Sequence, residues 1–74
     1  MPERRLGNCL KEVRLRHQLT QAELALKVGV TRKTINTIEN QVYVPSTILA
    51  LALAKALDQP VETLFFLISE SDGW

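Results

Sequence analysis

The 74-residue sequence predicts an all-α domain of five short helices, with a short C-terminal strand as the alternative ending. Three observations carry that reading. Apolar residues recur at helical spacing, and Ser, Thr, Gly and Pro stand where helices start and stop. The apolar content, 46% of the chain, is mostly Leu, Ala, Val and Ile with only four aromatic residues, which suits packed aliphatic helices. The length corresponds to one small domain, so residues 1–74 are read as a single unit without repeats or a linker.

Leu6, Leu10 and Val13 recur at i, i+4 and i+7 among Arg and Lys, which predicts an amphipathic helix over about residues 5–17. Thr20 with Glu23 three positions later is a capping box, each side chain reaching the other's backbone N–H. It opens a second helix over about 21–27, whose apolar positions are Ala22, Leu24, Ala25 and Val28. Gly29 stops that helix, because glycine takes the left-handed conformation at least cost. Thr31 caps a third helix over about 32–40, with Ile35 and Ile38 facing inward. Pro45 prevents helical continuation of the loop 40–45, and Ser46 caps a fourth helix over about 47–57. Its inward positions are Leu49, Ala50, Leu53, Ala54 and Leu57, while Ile48, Leu51 and Ala52 form an outward apolar stripe. That stripe is either a protein contact or part of a larger core. Pro60 fits the first position of a fifth helix over about 60–66, and Phe66, Leu67 and Ile68 either end it or begin a strand. The polar tail 69–74 ends in Trp74 and reads as a loose terminus.

Composition excludes several function classes. One Cys and one His cannot build a Cys/His metal site or a disulfide framework, so no metal and no cofactor are expected. Cys9 reads as a small packing residue, and His17 as a residue placed where a helix end favours a cation. Glu3, Arg4 and Arg5 stand where a secretory signal needs an apolar run. The longest uncharged stretch, 40–54, contains Pro45 and is too short for a membrane helix. A cytoplasmic domain is therefore expected. No nucleophile elbow, phosphate loop, metalloprotease motif or suitably spaced carboxylate pair suggests catalysis. The net charge is only +1, but residues 1–33 hold eight Lys/Arg against three carboxylates, and residues 34–74 hold one Lys against five. Such a split suggests a cationic surface facing a polyanion and an acidic surface facing elsewhere.

The spacing Gln21, Ala25, Gly29, Ile35, Ile38 describes two short helices joined by a tight turn. A small Ala25 allows the third helix to cross the second closely. The third helix then leaves Arg32, Lys33, Asn36 and Thr37 on its outer face. Arg and Lys donate to guanine, Asn reads adenine, and the Thr methyl meets the thymine methyl in a major groove.

The stretch LTQAELALKVGVTRKTINTIEN, with the continuation VYVPSTILALALAKALDQPVETLF, resembles the Cro/phage-repressor, or XRE-type, helix-turn-helix family. The match runs from about Leu6 to Phe66. The resemblance implies a five-helix, lambda-repressor-like DNA-binding domain, its helix-turn-helix core at 20–40, acting as a dimer on double-stranded DNA. It implies a recognition helix spanning Thr31 to Asn40, including Thr34, with Arg32, Lys33 and Thr37 reading bases and Asn36 close by. It further implies a phosphate anchor at Gln21, backbone contacts from Asn40 and Tyr43, and a structural ion pair between Arg14 and Glu39. Two departures stand out: Gln41 replaces the family's usual Gly after Glu39–Asn40, and the outer side of the fourth helix is apolar rather than charged.

The expected function is a sequence-specific transcriptional regulator, most naturally a repressor on a palindromic operator. Its expected dimer surface includes Val61, Leu64, Phe66 and Ile68, because the segment Phe65–Ile68 is unusually apolar for a chain end. The alternative is an antitoxin or adaptor-type interaction module on the same fold, using Ile48, Leu51 and Ala52.

Overall fold

The computed structural model describes residues 4–69; the tail position Trp74 lies outside the described residues. The element order is β1 (Arg4–Asn8), α1 (Leu10–Arg16), α2 (Gln21–Val28), α3 (Arg32–Glu39), α4 (Thr47–Ala56), α5 (Val61–Leu64) and β2 (Phe65–Ser69). Five helices surround one aliphatic core, and β1 and β2 form an antiparallel ribbon that joins the two ends of the described chain.

The core is built from Leu10, Val13, Leu24, Ala25, Ile35, Ile38, Leu53, Ala54, Leu57, Leu64 and Phe65. Each of the five helices contributes at least one of them. Local chemistry sets most helix starts. Thr20 and Glu23 form the reciprocal box, with the Thr20 N–H donating to Glu23 Oε1 at 2.8 Å and the Glu23 N–H donating to Thr20 Oγ1 at 3.0 Å. Thr31 Oγ1 accepts from the Thr34 N–H at 3.3 Å, and Ser46 Oγ from the Leu49 N–H at 3.1 Å.

The helix expected over about 5–17 begins later. Residues Arg4–Asn8 are strand, paired in the register Arg5–Ile68, Leu6–Leu67, Gly7–Phe66 and Asn8–Phe65. Gly7 is a poor helix former, and Asn8 competes with helical backbone: its Oδ1 accepts from the Leu10 N–H at 3.1 Å. Its Nδ2 donates to the Ile38 carbonyl at 2.9 Å, tying the ribbon to α3. Leu6 matched the helical spacing by coincidence; it is a strand residue packed on the rim of the core. Cys9, half-buried, donates its thiol to the Thr63 carbonyl at 2.8 Å.

The fifth helix is a single turn, Val61–Leu64, and Pro60 is its N-cap rather than its first residue. The chain then becomes β2, because β1 offers it a backbone partner. Leu64 is fully buried in the protomer's own core, which corrects its expected place on a dimer surface. Val61 and Ile68 are half-buried, whereas Phe66 and Leu67 are about half exposed, at 46% and 52%. On α4, Leu53, Ala54 and Leu57 are buried and Ile48 and Leu51 are exposed; Ala52, expected outward, is half-buried.

Helices α1 to α4 share one C-terminal device. Gln18, Gly29, Gln41 and Asp58 take positive φ, from 53° to 76°. After each, the next N–H returns to a carbonyl five residues back: Leu19 to Arg14, Val30 to Ala25, Val42 to Thr37 and Gln59 to Ala54. Three of these four positions carry a side chain, so glycine marked only one of them in the sequence.

Candidate nucleic-acid interface

Helix α3 is amphipathic by construction. Ile35 and Ile38 are sealed in the core, and the opposite side presents Arg32 and Lys33 to solvent. Ala25 is buried where α2 meets α3, and Gly29 turns the chain between them at φ 76°. The Thr31 side chain is engaged at the N-cap, where its hydroxyl also lies 3.0 Å from that of Thr34. Thr37 donates its hydroxyl to the Thr34 carbonyl at 3.0 Å.

The loop after α3 bends back on it. The N–H groups of Val42 and Tyr43 both donate to the Thr37 carbonyl, at 2.9 and 3.2 Å. Gln41 adopts φ 61° to permit that path, so the loop keeps a left-handed turn without the glycine usual there. The result is a shallow groove of about 630 Å³ beside α3, lined by Lys33, Thr34, Thr37, Tyr43 and Ser46 together with the apolar Val30, Val42 and Leu49. Val42 and Ser46 were missed as candidates. The alternation Val42–Tyr43–Val44 was visible in the sequence, but the path that brings it to α3 depends on Gln41.

Gln21, Arg32, Asn36 and Asn40 come together in one hydrogen-bonded line. Gln21 Oε1 accepts from Arg32 Nη1 at 3.2 Å and from Asn36 Nδ2 at 3.4 Å. Asn36 Oδ1 accepts from Asn40 Nδ2 at 3.0 Å. Behind this line, Gln21 Nε2 donates to Glu39 Oε1 at 3.0 Å.

Glu39 also accepts two bonds from Arg14, Nε to Oε2 at 2.7 Å and Nη2 to Oε1 at 3.2 Å. Arg14 Nη1 donates to the Leu19 carbonyl at 2.8 Å. Both side chains are nearly sealed, at 7% and 3% exposure. A fork-shaped pair with its remaining groups satisfied is the geometry in which a buried ion pair is tolerated, and it fixes orientation more than it stabilises. Arg14 is therefore withdrawn from the cationic surface that the charge split suggested. The exposed cations of the N-terminal half include Arg5, Lys11, Arg16, Lys27, Arg32 and Lys33.

No helix among the described residues is long and apolar enough to cross a membrane. The outer face of α3, with Arg32 and Lys33 in solvent and Gln21 of α2 bonded beside Arg32, is polar and cationic, which suits a polyanion with readable edges.

Comparison with known proteins points the same way. The helix-turn-helix family model matches residues 10–64. The HTH-type transcriptional regulator YgzD of Bacillus subtilis is 44% identical over 66 residues, covering 89% of this chain and 100% of its own. The HTH-type transcriptional regulator MJ0272 of Methanocaldococcus jannaschii is 47% identical over 60 residues, covering 81% of this chain and 91% of its own. Among solved structures, the restriction-modification controller protein C.AhdI of Aeromonas hydrophila superposes with a TM-score of 0.69 at 31% identity. The superposition covers 73% of this chain and 78% of that one.

Proposed function

The chain belongs to the XRE-type helix-turn-helix family of DNA-binding transcriptional regulators, and from that premise we propose that it is a dimeric repressor of a palindromic operator. The observation that carries the reading is α3 itself. Its apolar side is locked into the core through Ile35 and Ile38, and its outer side holds Arg32 and Lys33 in solvent. In this reading α3 lies in the major groove, Arg32, Lys33 and Thr37 meet base edges, and Asn36 supports them. Thr31 and Thr34 flank the entry of the helix. Gln21, at the first turn of α2, offers its remaining N–H and the free backbone N–H groups of that turn to a phosphate. Asn40 and Tyr43 meet the sugar-phosphate backbone beside the groove.

Dimerisation follows from information content. One recognition helix reads about four or five base pairs, and a two-fold pair doubles that at half-sites about 34 Å apart. Phe66 and Ile68 on one face of the ribbon, with Leu67 on the other and Val61 at the margin, supply the apolar surface for the pairing. Repression needs nothing beyond occupancy of a promoter, and the reading places the protein on the nucleoid in the cytoplasm, without a cofactor or catalysis. The likeness to a restriction-modification controller supports the regulatory assignment.

Ile48 and Leu51 favour one second reading, a protein-interaction module of antitoxin or adaptor type, because Ile48 is 82% exposed on α4. Selection of bound fragments from a random duplex pool, repeated by shift assay at two salt concentrations, tests the first reading. A preferred inverted repeat with steep salt dependence is expected. Binding without sequence preference refutes the operator reading. A monomer that gains mass only with a foreign protein held by Ile48 supports the second.

A further inference from the structure

Glu39 accepts three hydrogen bonds and can give none, because a carboxylate carries no proton to donate. Gln21 must face Glu39 with its NH2 group, so its Oε1 is turned toward α3. That oxygen then accepts from Arg32 and from Asn36. Asn36, committed to giving Nδ2 to Gln21, turns Oδ1 toward Asn40, and Asn40 answers with its own Nδ2. Each of three amides has two near-isosteric orientations, and the buried carboxylate selects one for the whole line. Arg14 anchors the carboxylate from the core side and cannot itself accept a bond.

We propose that Glu39 is a positioning residue for DNA reading: it sets the donor–acceptor polarity of the outer face of α3, through Gln21, without touching DNA. The inference rests on the reading of α3 as the element that meets base edges. Reversal of the Gln21 amide would set its NH2 against the Arg32 guanidinium and the Asn36 NH2, donor against donor. Arg32 would then lose its acceptor on Gln21.

Glu39→Gln permits that reversal: with its oxygen kept on Arg14 Nε, its NH2 takes the Oε1 position and is offered to Gln21, at the loss of the Arg14 Nη2 bond. Base preferences are measured by selection from random duplexes, well below the unfolding temperature of each protein. At the base pairs that respond to Arg32→Ala, Glu39→Gln should lower discrimination by about fivefold or more, the scale of one good base contact. Base pairs that respond only to Lys33→Ala should keep their preference. Gln21→Met breaks the line and leaves the Arg14–Glu39 pair whole, so it should relax the same base pairs in a stably folded protein.

A Glu39→Gln protein that melts earlier and binds every duplex proportionally less, with base ranking unchanged, overturns the proposal and makes the pair merely structural. If Glu39→Gln does not fold, unchanged base ranking in Gln21→Met overturns it. A wild type that selects no sequence refutes the operator reading and this inference with it. A wild type with a preferred site whose variants keep every preference refutes this inference alone.

Discussion

Phe66 lies across the ribbon from Gly7, so close that a Cβ on Gly7 would stand 2.5 Å from Phe66 Cε1 and 2.6 Å from Ile68 Cδ1. Gly7 is buried, and the absent side chain is what lets Phe66 and Ile68 lie flat on that face of the sheet. Gly7→Val should force both side chains outward. The expected cost is about 1–3 kcal/mol from overpacking, read as a lower melting temperature. Both contacts are with side-chain ends rather than backbone, so Gly7→Ala should be milder.

The same ribbon gives the sharpest test of assembly. Phe66→Asp and Leu67→Asp should each convert a dimer to a monomer in sedimentation at micromolar concentration, with the fold retained. Leu64→Ala should behave differently. Leu64 is fully buried in the protomer, so its truncation should cost about 2–5 kcal/mol of stability. A dimer untouched by either charged substitution would move the interface to Ile48 and Leu51.

Arg32→Ala and Lys33→Ala should each relax preference at one or two base pairs and cost about 1–3 kcal/mol of specific binding. Competition between operator and scrambled duplex measures the difference. Equal losses on both would assign these cations to phosphates.

The four left-handed helix ends make opposite predictions at two of their positions. At Gly29 a Cβ would meet no atom within 4 Å, so any cost of Gly29→Ala is purely conformational, about 1 kcal/mol. Gly29→Asn should cost less, because Asn tolerates the left-handed region. Gln41 already bears that strain at φ 61°. Gln41→Gly should therefore raise stability by about 0.5–1 kcal/mol, the relief of strain less the extra freedom of glycine in the unfolded chain. Urea melts of both variants decide the signs.

Glu23 links stability to pH. The Thr20 backbone N–H lowers its pKa below the ordinary 4.5, helped by the Thr20 hydroxyl; slight desolvation opposes the shift and Lys27 adds to it. A carboxylate depressed in the folded state stabilises above its unfolded pKa, and that contribution fades as pH falls through the folded one. Urea midpoints should accordingly drop in the acid range, below about pH 4.5. Glu23→Gln removes the ionisable group, so it should flatten that part of the profile and lie somewhat below the wild type near neutrality. An identical acid profile in the variant would show that Glu23 carries none of it.

Features that depend on neighbours three or four residues apart are legible in the chain alone. The Thr20–Glu23 box, the caps at Thr31 and Ser46, the turn at Gly29 and the inward pair Ile35 and Ile38 were all legible. Each is a short-range bond or a helical period. Features that depend on distant partners arise only on folding. Leu6 fits the spacing of a helix over about residues 5–17, yet Arg4–Asn8 is strand because Phe65–Ser69, some sixty residues later, presents a free backbone edge. Leu64 and Phe66 look alike in sequence, yet the switch from helix to strand at Phe65 buries one and exposes the other. The positive φ of Gln18, Gln41 and Asp58 carries no glycine to announce it. The line from Glu39 through Gln21 to Asn36 and Asn40 spans two helices, and its polarity exists only because folding sets a carboxylate beside an amide.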